Sequence, residues 1–232
     1  MKYKRILLKL SGESLAKDDR SGIDFEKVMK IASTLKECLE EVPEIAIVVG
    51  GGNFWRGRSN TSLDSATSDY IGMLATTMNA LALNDALLQV GVDTRVQTSI
   101  EMRQIAELYI RGRAMKHLSK KRIVIFGCGT GSPFFSTDTA AALRAAEIKA
   151  DIILKATNTD YLYTKDPRKY TDFETIKETS HLRVIKDKLK VMDTTAISLC
   201  MENNIPIRIF NINNLENLKK AIKGEEVGTL IK

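Results

Sequence analysis

The chain has little of the chemistry on which thiol and metal enzymes rely. Its three cysteines, Cys38, Cys128 and Cys200, are far apart and odd in number. No CxxC or zinc-type spacing occurs, which points to a reducing cytoplasm. There are only two histidines, His117 and His181. Neither falls in a motif, so structural or exposed roles suit them. No GxxxxGK[ST] string is present, which excludes a P-loop. No stretch approaches ~20 consecutive apolar residues, which argues against a membrane span. Lys9 cuts the first apolar run too short for a signal peptide. Repeats, low-complexity tracts and long linkers are also missing.

What is present is ordinary in amount and specific in pattern. At 232 residues the chain is long enough for one large core. The net charge of +6 raises the question of nucleic acid, but the lysines are spread along the chain. The one dense cluster, KHLSKKR at 116–122, reads as a solvated helix end with cations on the C-terminal dipole. No nucleic-acid partner is expected. An acidic small substrate fits the charge equally well.

Apolar runs at 5–10, 45–49, 92–96, 122–126, 151–155, 206–210 and 228–231 predict strands. Helices are predicted between them. Asp24 caps one that runs to a stop at Pro43, and others cover 101–121, 139–146, 184–189, 193–204 and 215–223. A break is allowed near 109–112. Residues 68–89 form a long run that is apolar nearly all round, which predicts burial on both sides. A core helix and a subunit contact are both compatible with it. The polar stretch 56–64 predicts a mobile loop, and 156–167 a loop or hairpin. This alternation predicts an α/β fold, a mostly parallel sheet with helices on both faces. Ligands in such sheets sit at the carboxyl ends of strands. Three glycine turns fall there, at 11–12, 50–52 and 127–131.

The stretch GCGTGSPFFSTD at 127–138 joins a strand to a helix. Its glycines free backbone N–H groups, and Ser136, Thr137 and Asp138 are good cap residues. Such a turn can hold an anion, or can be a plain connection. It nearly spells the dinucleotide fingerprint GxGxxG, but the third glycine falls one residue early. That disfavours a dinucleotide enzyme.

Eight blocks in order carry a wider resemblance: KRILLKLSGES at 4–14, VVGGGNFWRG at 48–57, SDYIGMLATTMNALAL at 68–83, TGSPFFSTDTAAALRA at 130–145, LKAT at 154–157, YTKDP at 163–167, LKVMD at 189–193 and GTLI at 228–231. Together they resemble the bacterial uridylate (UMP) kinases of the amino acid kinase superfamily, over essentially the whole chain. The resemblance implies phosphoryl transfer from ATP to UMP, with Mg²⁺ carried on the nucleotide phosphates, in pyrimidine nucleotide biosynthesis. It implies a three-layer α/β/α sandwich, a single domain over 1–232 with an acceptor-binding part at roughly 1–150 and an ATP-binding part at roughly 151–232. It also implies a homohexamer built from dimers through the long helix.

Site residues follow by position. The resemblance makes Lys9, Asp138 and Asp193 catalytic; helix capping is the alternative for both aspartates, and an edge-strand position the alternative for Lys9. Leu10, Ser11, Gly12 and Gly52, with Lys9, match the ATP phosphate side. Thr157, Asn158, Tyr163 and Asp166 match the adenosine end, with simple packing as the alternative for Tyr163. Gly50, Gly51, Asp69, Thr130, Gly131, Ser132, Pro133, Phe134, Phe135, Ser136 and Thr137 match the UMP side. Asp69 also reads as a carboxylate at a helix start. Arg56 matches a phosphate clamp, for donor or acceptor, against the alternative of a solvated loop charge. Tyr161 departs from the family, where Gly is commoner, and Ser132 stands where Asn is commoner. A carboxylate or carbamate kinase and a non-catalytic nucleotide binder are the competing readings.

Overall fold

The structure is a computed structural model that describes residues 2–57, 62–165 and 172–232. In chain order its strands and helices are β1 (Arg5–Leu10), α1 (Phe25–Cys38), β2 (Glu44–Val49), α2 (Ser65–Gln89), β3 (Thr94–Thr98), β4 (Glu107–Leu108), α3 (Arg111–Ser119), β5 (Ile123–Gly127) and α4 (Thr137–Ile148). These are followed by β6 (Ile152–Thr157), β7 (Leu162–Tyr163), β8 (Thr175–Ile176), β9 (Glu178–Thr179), α5 (His181–Lys186), α6 (Thr194–Glu202), β10 (Ile207–Asn211), α7 (Leu215–Lys223) and β11 (Thr229–Ile231).

Among the described residues nine strands form one sheet in the order β4-β3-β5-β2-β1-β6-β10-β11-β9. Within this sheet, among the described residues, only the β10–β11 pairing is antiparallel. The strands are apolar runs because both faces are covered. Ile6, Leu8 and Leu10 of β1 face α1, α2 and α7. Leu7 faces the opposite way, into the cluster that holds α3, α4, α5 and α6. This is a three-layer α/β/α sandwich.

β1 lies at the switch of the sheet. The chain builds outward from β1 through β2 to β3 and β5, then α4 carries it back to β6 on the other side of β1. Crevices form at such a reversal, outside the carboxyl ends of the strands. The edge-strand alternative for Lys9 is thereby overturned: β1 is central, and Lys9 is buried.

Several predicted boundaries shift. Helix α1 ends at Cys38, before Pro43, because residues 39–42 leave the helix in turns. Helix α2 begins at Ser65 with Asp64 as its cap, whose carboxylate accepts from Thr67 N at 3.0 Å. Asp69 therefore sits in the second turn, and the helix-start reading of that residue is wrong. Residues 101–110 are not helical. There Gln97 and His117 both bond the Glu107 carboxylate at 3.0 Å, and β4 pairs with β3. Residues 58–61 of the predicted loop 56–64 lie outside the described residues. Of residues 156–167, 156–157 still belong to β6, and β7 then pairs antiparallel with β8.

Helix α2 is long and apolar enough to cross a membrane by length and composition. The count of consecutive apolar residues missed this, because Thr, Ser and Gly interrupt the run. Half of the apolar window is buried in the fold, where Ala80, Leu83 and Leu87 pack on the core. Tyr70, Leu74 and Met78, four residues apart, form an exposed apolar stripe on its outer side.

Candidate active site

Alternation along β1 turns Leu7 and Lys9 to one face, and along β6 turns Ile153 and Lys155 to the same face. Lys9 and Lys155 are direct neighbours across the two strands. Two buried ammonium groups side by side need an anion. Helix α4 supplies it: Asp138, in its first turn, pairs with Lys9 Nζ through Oδ1 at 2.9 Å and with Lys155 Nζ through Oδ2 at 2.6 Å. Lys155 also donates to the Val191 carbonyl at 2.5 Å. Burial pushes the Asp138 carboxyl up, but the two lysines outweigh it and hold it below the usual carboxylate value. Burial pulls the Lys155 ammonium down; Asp138 opposes that shift and Lys9 adds to it. The cluster holds two cations and one anion, a net positive centre at the end of the switch strand.

Asp138 is not the helix cap. Ser136 is: its Oγ accepts from Asp138 N at 3.0 Å and Thr139 N at 3.2 Å. That leaves the Asp138 carboxylate to the lysines. Asp193 does cap, accepting from Ala196 N at the start of α6 at 3.0 Å. It also accepts from the hydroxyls of Thr139, at 2.9 Å, and of Ser136. Asp193 thus pins the starts of α4 and α6 together.

The two glycine turns after β1 and β2 press on one another. A Cβ on Gly12 would lie 2.4 Å from Asn53 Oδ1 and 2.7 Å from Gly52 N, so no larger residue fits. Ser11 caps the 3-10 turn Gly12–Leu15, and Leu10 O accepts from Gly50 N at 2.8 Å. A buried amide pair ties this unit to α2. Asn79 Nδ2 donates to Asn53 Oδ1 at 2.7 Å and to Gly50 O at 2.7 Å, and Asn53 Nδ2 donates back to Asn79 Oδ1 at 3.0 Å.

A cavity of about 260 Å³ opens beside these turns. It is lined by Gly51, Asp69, Thr130, Phe135, Ser136 and Thr137, expected for the acceptor side, by Gly52, expected for the ATP phosphate side, and by Trp55 and Gly72. Trp55 is fixed there by donating Nε1–H to Ser68 Oγ at 3.0 Å. Gly131, Ser132, Pro133 and Phe134 continue the same turn. Asp69 accepts from Phe134 N at 2.7 Å, so part of its hydrogen-bonding capacity closes the turn.

Arg56 lies at the rim, half exposed, paired with Glu13 at 2.5 Å and donating to Gly52 O at 3.1 Å. At the other end, Thr157 Oγ1 donates to Thr159 O at 3.0 Å or Phe210 O at 3.2 Å. Asn158 approaches Glu13 at 3.5 Å. Tyr163 packs edge-on against Phe173 with centroids 5.3 Å apart. Asp166 lies outside the described residues. His117 and His181 are both buried away from this site, bonded to Glu107 and to the Ile205 carbonyl respectively.

Three contributors escaped the sequence reading. Lys155 carried the same signal as Lys9, a cation closing an apolar strand. Asn79 was one amide among several in an apolar helix. Asn53 stood in a motif read only for its glycines.

Comparison with known proteins agrees with this arrangement. Residues 4–211 match the amino acid kinase family. The structure superposes on UMP kinase from Bacillus anthracis with a TM-score of 0.95 at 36% identity, over 99% of this chain and 96% of that one. UMP kinase from Ureaplasma parvum matches with a TM-score of 0.93 at 34% identity over the full length of both chains. Uridylate kinase from Archaeoglobus fulgidus matches with a TM-score of 0.75 at 27% identity, over 98% of this chain and 100% of that one. With the family match spanning all but the chain's ends, and full-length likeness to solved kinases, this chain belongs to the amino acid kinase family.

Proposed function

We propose that the protein is a UMP kinase, transferring the γ-phosphoryl group of ATP to UMP to give UDP and ADP. The observation that carries this reading is a cavity lined by Ser136 and Thr137, next in the chain to Asp138, which pairs with Lys9 and Lys155 at the end of β1. Full-length likeness to solved UMP kinases supports the choice of acceptor.

Phosphoryl transfer depends on positioning and electrostatics more than on covalent chemistry. A phosphate acceptor has a second pKa of about 6 and is largely ionised at neutral pH, so it needs no general base. The remaining problem is bringing two polyanions together. In this reading the Lys9 and Lys155 ammoniums offset the charge on the transferring group, and Asp138 holds both in place. Backbone N–H groups of Ser11, Gly12 and Gly52 take the ATP phosphates. Gly50 and Gly51 lie towards the acceptor phosphate, and Arg56 leaves Glu13 to clamp phosphate. Thr157, Asn158 and Tyr163 take the adenosine. The 130–137 segment reads uracil with backbone groups, and Asp69 reaches the ribose. Asp193 acts by pinning α4 and α6.

Among the described residues no cluster of three His, Cys, Asp or Glu could hold a metal unaided. Asp138 is engaged by two ammoniums. This donor set suits a Mg²⁺ ion carried on ATP phosphate oxygens, where it would neutralise charge. The same reading assigns the protein to pyrimidine nucleotide biosynthesis in the cytoplasm. The exposed stripe Tyr70, Leu74, Met78 supports pairing of two copies through α2 within a homohexamer. Sedimentation should then give an assembly that Leu74→Glu splits; a monomeric wild type would refute the pairing.

The deciding experiment is ADP production with ATP and UMP, CMP, AMP and GMP side by side. UMP should be the preferred acceptor by a wide margin, because the cytosine amino group would face donors. Comparable CMP turnover would contradict this site. UMP binding without ADP release would favour a non-catalytic binder.

A further inference from the structure

Ser99 lies one residue beyond β3 and joins two groups by its hydroxyl. Arg144 donates a guanidinium N–H to Ser99 Oγ at 2.8 Å. Ser99 in turn donates to the Gly129 carbonyl at 2.8 Å. Arginine has no acceptor, so the direction of this relay is fixed, and the serine proton goes to Gly129.

Arg144 is itself held by further partners, although its buried Nε has no hydrogen-bond partner. It is 4% exposed, on α4, with its guanidinium carbon 3.7 Å from the centroid of the Tyr109 ring. Its Nη1 pairs with Glu147 at 2.6 Å, and Glu147 also accepts from the Tyr109 hydroxyl at 2.6 Å. Burying a long cation among an aromatic ring and a carboxylate is costly unless its geometry is used.

The turn it reaches is closed by Gly131 N donating to Cys128 O at 2.9 Å, but its backbone is unfavourable. Cys128, Gly129 and Gly131 have φ of 60°, 54° and 84°. For Cys128 this left-handed backbone is unfavourable and requires support from outside. A Cβ on Gly131 would lie 2.9 Å from Ser99 Cβ, so Ser99 also backs the turn by contact. Gly129 and Thr130 line the acceptor cavity.

We propose that Ser99 and Arg144 are positioning residues that set the shape of the 128–131 turn and thereby the affinity for the acceptor nucleotide. This rests on the UMP kinase reading. Arg144 acts through Ser99, and neither touches the donor side.

The test is steady-state kinetics, with calorimetric UMP binding and thermal melting, on wild type, Ser99→Ala, Arg144→Lys and the double variant. Lysine keeps the charge against Glu147 but lacks the fork needed to reach Ser99 as well. Each single variant should raise the UMP KM and Kd about tenfold. The ATP KM and kcat should stay within about twofold, and the double variant should match the singles, because both break one link. Should Ser99→Ala fail to fold, Ser99→Cys keeps the shape with only a weak donor and is read the same way. Unchanged UMP affinity, a parallel loss in kcat and both KM values, or additive effects in the double variant would overturn the inference while leaving the kinase reading intact. A wild type that neither binds nor phosphorylates UMP overturns both.

Discussion

The two sides of the candidate site are built by opposite means. The centre at the end of β1 is made of side chains: Lys9 and Lys155 are buried and both pair with the half-buried Asp138. The acceptor turn is made of backbone: glycines, left-handed residues and N–H groups, propped from behind by Ser99, Thr76 and Asp69. Charge must be concentrated where phosphate charge moves, and buried charge is tolerable only when paired. A base and a sugar are uncharged, so directional backbone contacts can read them. The centre should therefore fail in rate when altered, and the turn should fail in affinity.

The sharpest way to break this contrast is Lys9→Ala. Asp138 keeps Lys155 as a partner, so the fold should survive. We expect kcat to fall by roughly a thousandfold with little change in UMP binding. Near-normal kcat would remove Lys9 from the chemistry, and a change mainly in UMP affinity would erase the contrast.

Asp138→Asn comes next, because it leaves two buried ammoniums facing each other. A loss of about 3 kcal/mol in unfolding free energy is expected by chemical denaturation. The same residue sets a pH dependence. Its folded pKa lies below the unfolded value of about 3.9, so its contribution is fully present above about pH 4 and is lost as pH falls through the folded value. Lys155 has the same direction in a different pH range. Its folded pKa is lowered, so this group makes stability rise as pH climbs towards the unfolded value of about 10.4. An acid-unfolding profile should be flatter below pH 4 in Asp138→Asn than in wild type. Identical slopes would show that the carboxylate is not held by the lysines.

The smallest effect belongs to the joint between the two regions. Ser136→Ala removes the α4 cap and one donor to Asp193, and should cost about 1 kcal/mol. That is a fall of roughly 2–4 °C in Tm for a chain of this size. Activity should change less than in either preceding variant. A rate loss as large as that of Lys9→Ala would mean that Ser136 belongs to the centre itself.

Much of the fold could be read from the chain because parallel strands covered on both faces appear as unbroken apolar runs. Helix α7 falls where its periodicity put it, between Asn214 and Gly224. The stretch 101–110 could not be read so. Its helical spacing is overridden by Glu107, which bonds Gln97 and His117 from other elements. In the site, Lys9 was legible as a charge where an apolar run should continue. Lys155 carries the same mark at the end of β6. Ser99 and Arg144 carried none, since a serine after a strand and an arginine in a helix are commonplace.

The layers and the glycine turns are legible in the chain because they depend on periodicity and local backbone freedom, and the family because its motif blocks stand in order. Only the tertiary structure decided which charges meet. Lys9, Asp138 and Lys155 are brought together because α4 crosses back over β1 to start β6, and no local pattern encodes that crossing. The same crossing brings Arg144 of α4 to Ser99 after β3, and so joins the acceptor turn to the core behind it.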